Sequence, residues 1–110
     1  MRAYLIDEIS TSDMKKITTF LKENSIQSSL DNIFWVEIPE DLPAGIQFEH
    51  KNCRPHVFAI EVGDKLVKSE FFVRSLKGMR CECQSYCTPQ QRDFILYFTH
   101  RMIHALDIRP

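Results

Sequence analysis

Glycine is scarce in this chain, with three among 110 residues. A backbone that wraps a phosphate needs several glycines at close spacing, so neither a P-loop nor a dinucleotide-binding loop is present. No Ser-His-Asp order and no paired-carboxylate motif takes their place. Long apolar runs are also missing, and none approaches the roughly 20 residues that cross a bilayer as a helix. The opening segment, MRAYLIDEIS, meets Asp7 and Glu8 before a secretory apolar core can build. A cytoplasmic protein with reduced thiols and no membrane partner is expected. An excess of charge of one sign is lacking too: 14 Lys and Arg face 15 Asp and Glu, a formal net charge of −1. A nucleic-acid partner is therefore not expected, and any cationic surface has to be local.

What is there is the composition of an ordinary globule, 44% hydrophobic and 26% charged. The length suits one domain over residues 1–110. AYLIDEI at 3–9 reads as a short strand, with helix as the alternative. STSD then offers cap residues for a helix over 12–24, where Met14, Ile17, Phe20 and Leu21 recur at helical spacing. IFWVEI at 33–38 is apolar on both faces for most of its length, as an inner strand requires. AGIQFEHKN at 44–52 could hold one helical turn, and this segment lies outside the residues described below.

HVFAIEV at 56–62 is a strand, Gly63-Asp64 a two-residue turn, and KLVKSEFFVRS the return strand, with Val67, Phe71 and Val73 on one side. MRCECQSY at 79–86 adds a third strand, so 56–86 forms an antiparallel meander. Thr88 as N-cap, Pro89 at the first helical position and Gln91 at the capping-box position open a last helix. Its core stripe reads Phe94, Ile95, Phe98, Met102, Ala105 and Leu106. The expected fold class is α+β, in two layers: a mostly antiparallel sheet of four to five strands with two main helices packed on one face.

Three of the four cysteines crowd into CECQSYC at 81–87. Strand alternation sends Arg80, Glu82 and Gln84 outward and Cys81 and Cys83 under the helices, where a thiol behaves as a small hydrophobe. That core role is the favoured one. The alternative is a metal or thiol-redox module, with zinc as the cofactor, built from Cys53, His56, Cys81 and Cys83 at one edge of the sheet. Two distances oppose it. Cys81 and Cys83 lie ~6.6 Å apart along an extended strand, and the first and third strands of a meander are ~10 Å apart. Cys87 stands apart, just before the Thr88 cap, where a helix N-terminus can lower a thiol pKa. An idle thiol is favoured there, because no base lies beside it in sequence.

His100 and His104 share one helix face four residues apart, without the glutamate of H-E-x-x-H, and read as a solvated face. Leu96 and Ile103 fall off the core stripe, seven residues apart on one flank, and suggest a surface for homodimerisation. The charge map is more pointed. Lys51, Arg54 and His56 precede the first meander strand, while Arg74, Lys77 and Arg80 surround the second turn. A meander returns to the same edge every second turn, so these six are expected on one basic edge. The partner implied is an anionic ligand or an acidic protein segment. The chain thus reads as a small interaction or ligand-binding module and not as an enzyme.

Overall fold

The computed structural model describes residues 2–39, 41–42, 53–77 and 83–109. Among them are seven strands and two helices. The strands are β1 (Ala3–Ile6), β2 (Ile26–Gln27), β3 (Ile33–Glu37), β4 (His56–Val62), β5 (Val67–Glu70), β6 (Phe72–Ser75) and β7 (Ser85–Tyr86). The helices are α1 (Thr11–Asn24) and α2 (Pro89–Ala105). The main path of the sheet is β1-β5-β4-β3-β2, with β6 pairing β4 and β7, and every pairing is antiparallel. The α+β class read from the sequence is the one found, and residues 3–6 settle as strand.

Both helices cover one face of the sheet. The cluster beneath them joins Met14, Ile17 and Leu21 of α1 to Phe34, Val36, Phe58, Ile60, Val67 and Val73, and to Ile95 and Met102 of α2. Phe58, fully buried on the central strand, meets Phe94 and Phe98 edge-on, with ring centroids 6.3 and 5.9 Å apart. Such T-shaped pairs place a positive ring edge on a negative ring face.

The helix starts follow the capping signals. Ser10 Oγ accepts the Asp13 amide at 3.1 Å and opens α1. At α2 the Gln91 amide donates to Thr88 Oγ1 at 3.2 Å and the Thr88 amide to Gln91 Oε1 at 3.0 Å, a complete capping box. Gln91 Nε2 also donates to the Leu42 carbonyl at 3.0 Å, which ties the helix start to the segment after β3.

The buried face of α2 is rotated from the expected stripe. It is formed by Gln91, Ile95, Thr99, Met102 and Ile103, while Phe94 and Phe98 are half-buried at its margin and Ala105 is exposed. The rotation is set by two polar residues that a hydrophobic pattern passes over. Gln91 is satisfied as above, and Thr99 Oγ1 bonds the Ile95 carbonyl and Ser69 Oγ, each at 2.8 Å. Ile103 falls within this rotated face and Leu96 at its margin. Ile103 is buried and Leu96 packs against the core, so the pair is not an exposed patch for a second copy.

The arm opposite β4 also departs from a plain meander strand. Ile60 pairs Ser69 and Val57 pairs Arg74, so Phe58 and Ala59 face the four residues Glu70, Phe71, Phe72 and Val73. This is a bulge of two extra residues. Its centre, Phe71, receives the neighbouring strands on either side of itself: its amide donates to the Arg2 carbonyl (2.9 Å) and its carbonyl accepts from the Cys87 amide (3.2 Å). β1 therefore lines β5, and β7 lines β6. Two extra residues preserve the alternation, and Val67, Ser69, Phe71, Val73 and Ser75 all stay buried.

The β4–β5 turn sits one residue later than expected. The Gly63 amide bonds the Leu66 carbonyl at 2.9 Å, so Asp64 and Lys65 form the tip, and Lys65 takes the left-handed φ of +60°. A Cβ on Gly63 would lie 2.8 Å from Leu66 Cδ1, so a larger residue there would have to displace the Leu66 side chain.

Candidate functional site

The six residues of the expected basic edge meet different fates. Lys51 and Arg80 lie outside the described residues. The pairings His56–Ser75 and Val57–Arg74 bring the start of β4 beside the end of β6, and the Leu76 amide continues the ladder to the Pro55 carbonyl at 3.4 Å. Arg54, His56, Arg74 and Lys77 thus share one end of the sheet, but not one face. His56 has the parity of Phe58, points to the helix side and is buried, 6% exposed. Arg74 has the parity of Val57 and points to the side of the sheet opposite α1 and α2. Arg54 is half-buried and Lys77 exposed.

Arg74 is the best-positioned of the four. Its Nη2 donates to Glu70 Oε1 at 2.7 Å, and its guanidinium lies 4.9 Å from the Phe72 ring centre. Phe72 in turn meets Tyr86 edge-on at 5.1 Å. Tyr86 carries the Arg2 guanidinium 4.4 Å above its ring, and Arg2 also donates to its hydroxyl. The Arg2–Tyr86–Phe72–Arg74 row crosses the β1/β7 junction and holds Arg74 in place from one side. A stacked guanidinium with one carboxylate partner still has donors to spend. Among the described residues, Arg74 Nε has no acceptor.

Beside this arginine is a pocket of about 290 Å³ lined by Ser28, Ser29, Trp35, Arg74, Ser75, Leu76 and Gln84. Trp35 stands on β3 opposite Ala59, and Arg74 on β6 opposite Val57. The two walls are therefore one strand apart, with the short side chains of Val57 and Ala59 on β4 between them. The Ser28 hydroxyl is committed to the turn, donating to the Leu30 carbonyl at 2.9 Å and accepting its amide at 3.0 Å. The Ser75 amide donates to Gln84 Oε1 at 3.1 Å, and the Ser75 hydroxyl to the Cys53 carbonyl. The sequence signal for this pocket was weak: Trp35 read as an inner-strand residue, and nothing in its spacing ties it to Arg74.

Cys81 lies outside the described residues. Cys83 is fully buried, in keeping with a thiol used as a hydrophobe, although it sits in a turn and not in a strand. Cys53, Cys83 and Cys87 are thiols. Among the described residues no group of three or more His, Cys, Asp or Glu is placed to hold a metal ion.

Cys87 does not gain from its place before α2. Burial pushes its thiol up from an ordinary 9.0 to about 11, the Glu70 carboxylate adds to this, and Arg92 only partly offsets it. The protonated thiol is the form the fold favours. Between pH 9 and about 11 the unfolded chain ionises while the folded one does not, so stability is full below pH 9 and falls across that window. Alkylation followed by peptide mass analysis should find Cys87 slow at neutral pH, with a rate that climbs toward pH 11. Labelling at pH 8 as fast as in denaturant would contradict the shift.

Among the described residues no helix is long and apolar enough to cross a membrane. Compared with known protein families, with curated proteins and with solved structures, the chain matches none.

Proposed function

We propose that this chain is a non-catalytic binding module that recognises an anionic group, a carboxylate or a phosphate, at the Arg74 end of the sheet face opposite α1 and α2. The observation that carries this reading is the setting of Arg74. Its guanidinium is fixed by Glu70 and Phe72, it borders a concave pocket, and its Nε has no acceptor among the described residues. A donor fixed before the ligand arrives loses little rotamer freedom on binding, which is what makes a pre-ordered arginine effective. Arg54 and Lys77, at the same end, add long-range attraction.

Glu70 sets the limit. Its carboxylate competes with any incoming anion for the same guanidinium, so affinity in the unmodified protein is modest and salt-sensitive. The screening length is ~8 Å at physiological ionic strength, and exposed charges beyond it contribute little.

Titration with inorganic phosphate and with a short polyglutamate peptide at low salt should move the amide signals of Arg74, Ser75 and Lys77. Arg74→Ala should weaken binding about tenfold or more, the ~1.5–3 kcal/mol of a hydrogen bond to a charged group. Raising salt to physiological strength should weaken it further. Silence of these amides toward both probes at low salt, with the fold intact, would end the proposal.

A further inference from the structure

We propose that the Trp35–Arg74 pocket takes a small planar acid: an aromatic ring bearing a carboxylate, its ring against Trp35 and its acid group on Arg74. This rests on the anion-binding reading above and narrows it to a ligand class. Three features select that class. The first is size: about 290 Å³ is at the lower limit of ligand pockets, room for one ring and its acid group but not for an extended ligand. The second is the pair of walls. Trp35 offers a flat apolar surface and Leu76 a second apolar contact, while Arg74 supplies the one formal charge among the described lining residues. Aromatic rings pack on each other in offset or edge-on arrangements with a gain beyond their buried area. The third is spacing. Trp35 on β3 and Arg74 on β6 flank the intervening β4, a separation of ~10 Å between backbones that a ring with a directly attached carboxylate can bridge.

Glu70 gives the inference a signature that a purely structural ion pair would not. If a carboxylate enters beside Arg74, it must share the guanidinium with Glu70. Glu70→Gln then removes a competitor and a like charge, and binding tightens. An arginine that only staples β5 to β6 would show no ligand affinity to tighten.

Trp35 is the chain's single tryptophan, so its fluorescence reports directly on the pocket. The probes are benzoate, acetate, benzyl alcohol, inorganic phosphate and polyglutamate. Benzoate should quench Trp35 and shift the amides of Ser29, Trp35 and Arg74, with acetate and benzyl alcohol each weaker by about tenfold or more, the scale of one aromatic contact or one charged hydrogen bond. Glu70→Gln should strengthen benzoate severalfold. Trp35→Leu, read by amide shifts, should erase the advantage of benzoate over acetate, and Arg74→Gln its advantage over benzyl alcohol. Circular dichroism checks that each variant is folded, and the Glu70→Gln result stands if one of the other two is not. If phosphate or polyglutamate binds at Arg74 and benzoate is no better than acetate, the planar-acid inference is overturned while the anion-binding module survives. If no probe binds, both fall.

Discussion

Replacing Phe58 by alanine should cost about 3–5 kcal/mol, the range for removing a fully buried aromatic side chain. That is a large share of the ~5–15 kcal/mol that holds an ordinary domain together. Phe58 is fully buried on the central strand β4 and is the residue on which the Phe94 and Phe98 rings of α2 converge. Truncation removes both edge-to-face contacts and leaves a void between sheet and helix that rigid neighbours fill only in part. Chemical denaturation should show a midpoint shifted far down with little change in slope, because the surface exposed on unfolding is nearly the same. Phe58→Leu should recover much of the loss. An unfolding free energy within about 1 kcal/mol of the parent would mean that the aromatic cluster is not what holds α2 to the sheet.

The second large effect concerns two hydroxyls. Ser69 on β5 and Thr99 on α2 are both fully buried, and their oxygens are 2.8 Å apart. Thr99 already gives its proton to the Ile95 carbonyl. Ser69 must therefore be the donor between them. The asymmetry predicts unequal costs. Thr99→Val keeps the volume but strands the Ser69 donor in the core, at about 1–3 kcal/mol. Ser69→Ala costs less, because Thr99 keeps its bond to Ile95. The double variant should be more stable than Thr99→Val alone, and the coupling between the two sites is the quantity to measure in a double-mutant cycle. Equal single costs that simply add would mean the hydroxyls do not interact.

These two residues also mark where sequence and structure part. The capping signals at Ser10, Thr88 and Gln91 are local, since a side-chain oxygen and the backbone amide that donates to it lie within three residues, and they were readable at once. Strand alternation in 56–62 and 67–73 is equally local, and so the helix-facing set of Phe58, Ile60, Val67, Phe71 and Val73 was legible. The rotation of α2 was not. Thr99 and Gln91 are buried because Ser69 and the Leu42 carbonyl answer them, and those partners lie 30 and 49 residues away in sequence. The candidate site shows the same division. Both turns do meet at one sheet end, as a meander requires. His56 nevertheless faces away from Arg74, because its partner in the ladder is Ser75 and not Arg74. Trp35 entered the site only through the pairing of β3 with β4.

A strand has a reading frame of two. Each residue faces up or down by parity, and an insertion of one inverts everything beyond it, while an insertion of two is silent. The bulge around Phe71 is the silent kind: four residues against two, with Val67 and Val73 still in phase. It lengthens the arm enough to seat β1 on one half and β7 on the other without changing which side chains face outward. Deleting only one of the two extra residues would be a frameshift. With β5 held by β1, everything from Phe72 onward would invert, driving Phe72 and Arg74 toward the helices and turning Val73 and Ser75 to the opposite face. The outward aim of Arg74 is thus a matter of counting to an even number three residues upstream.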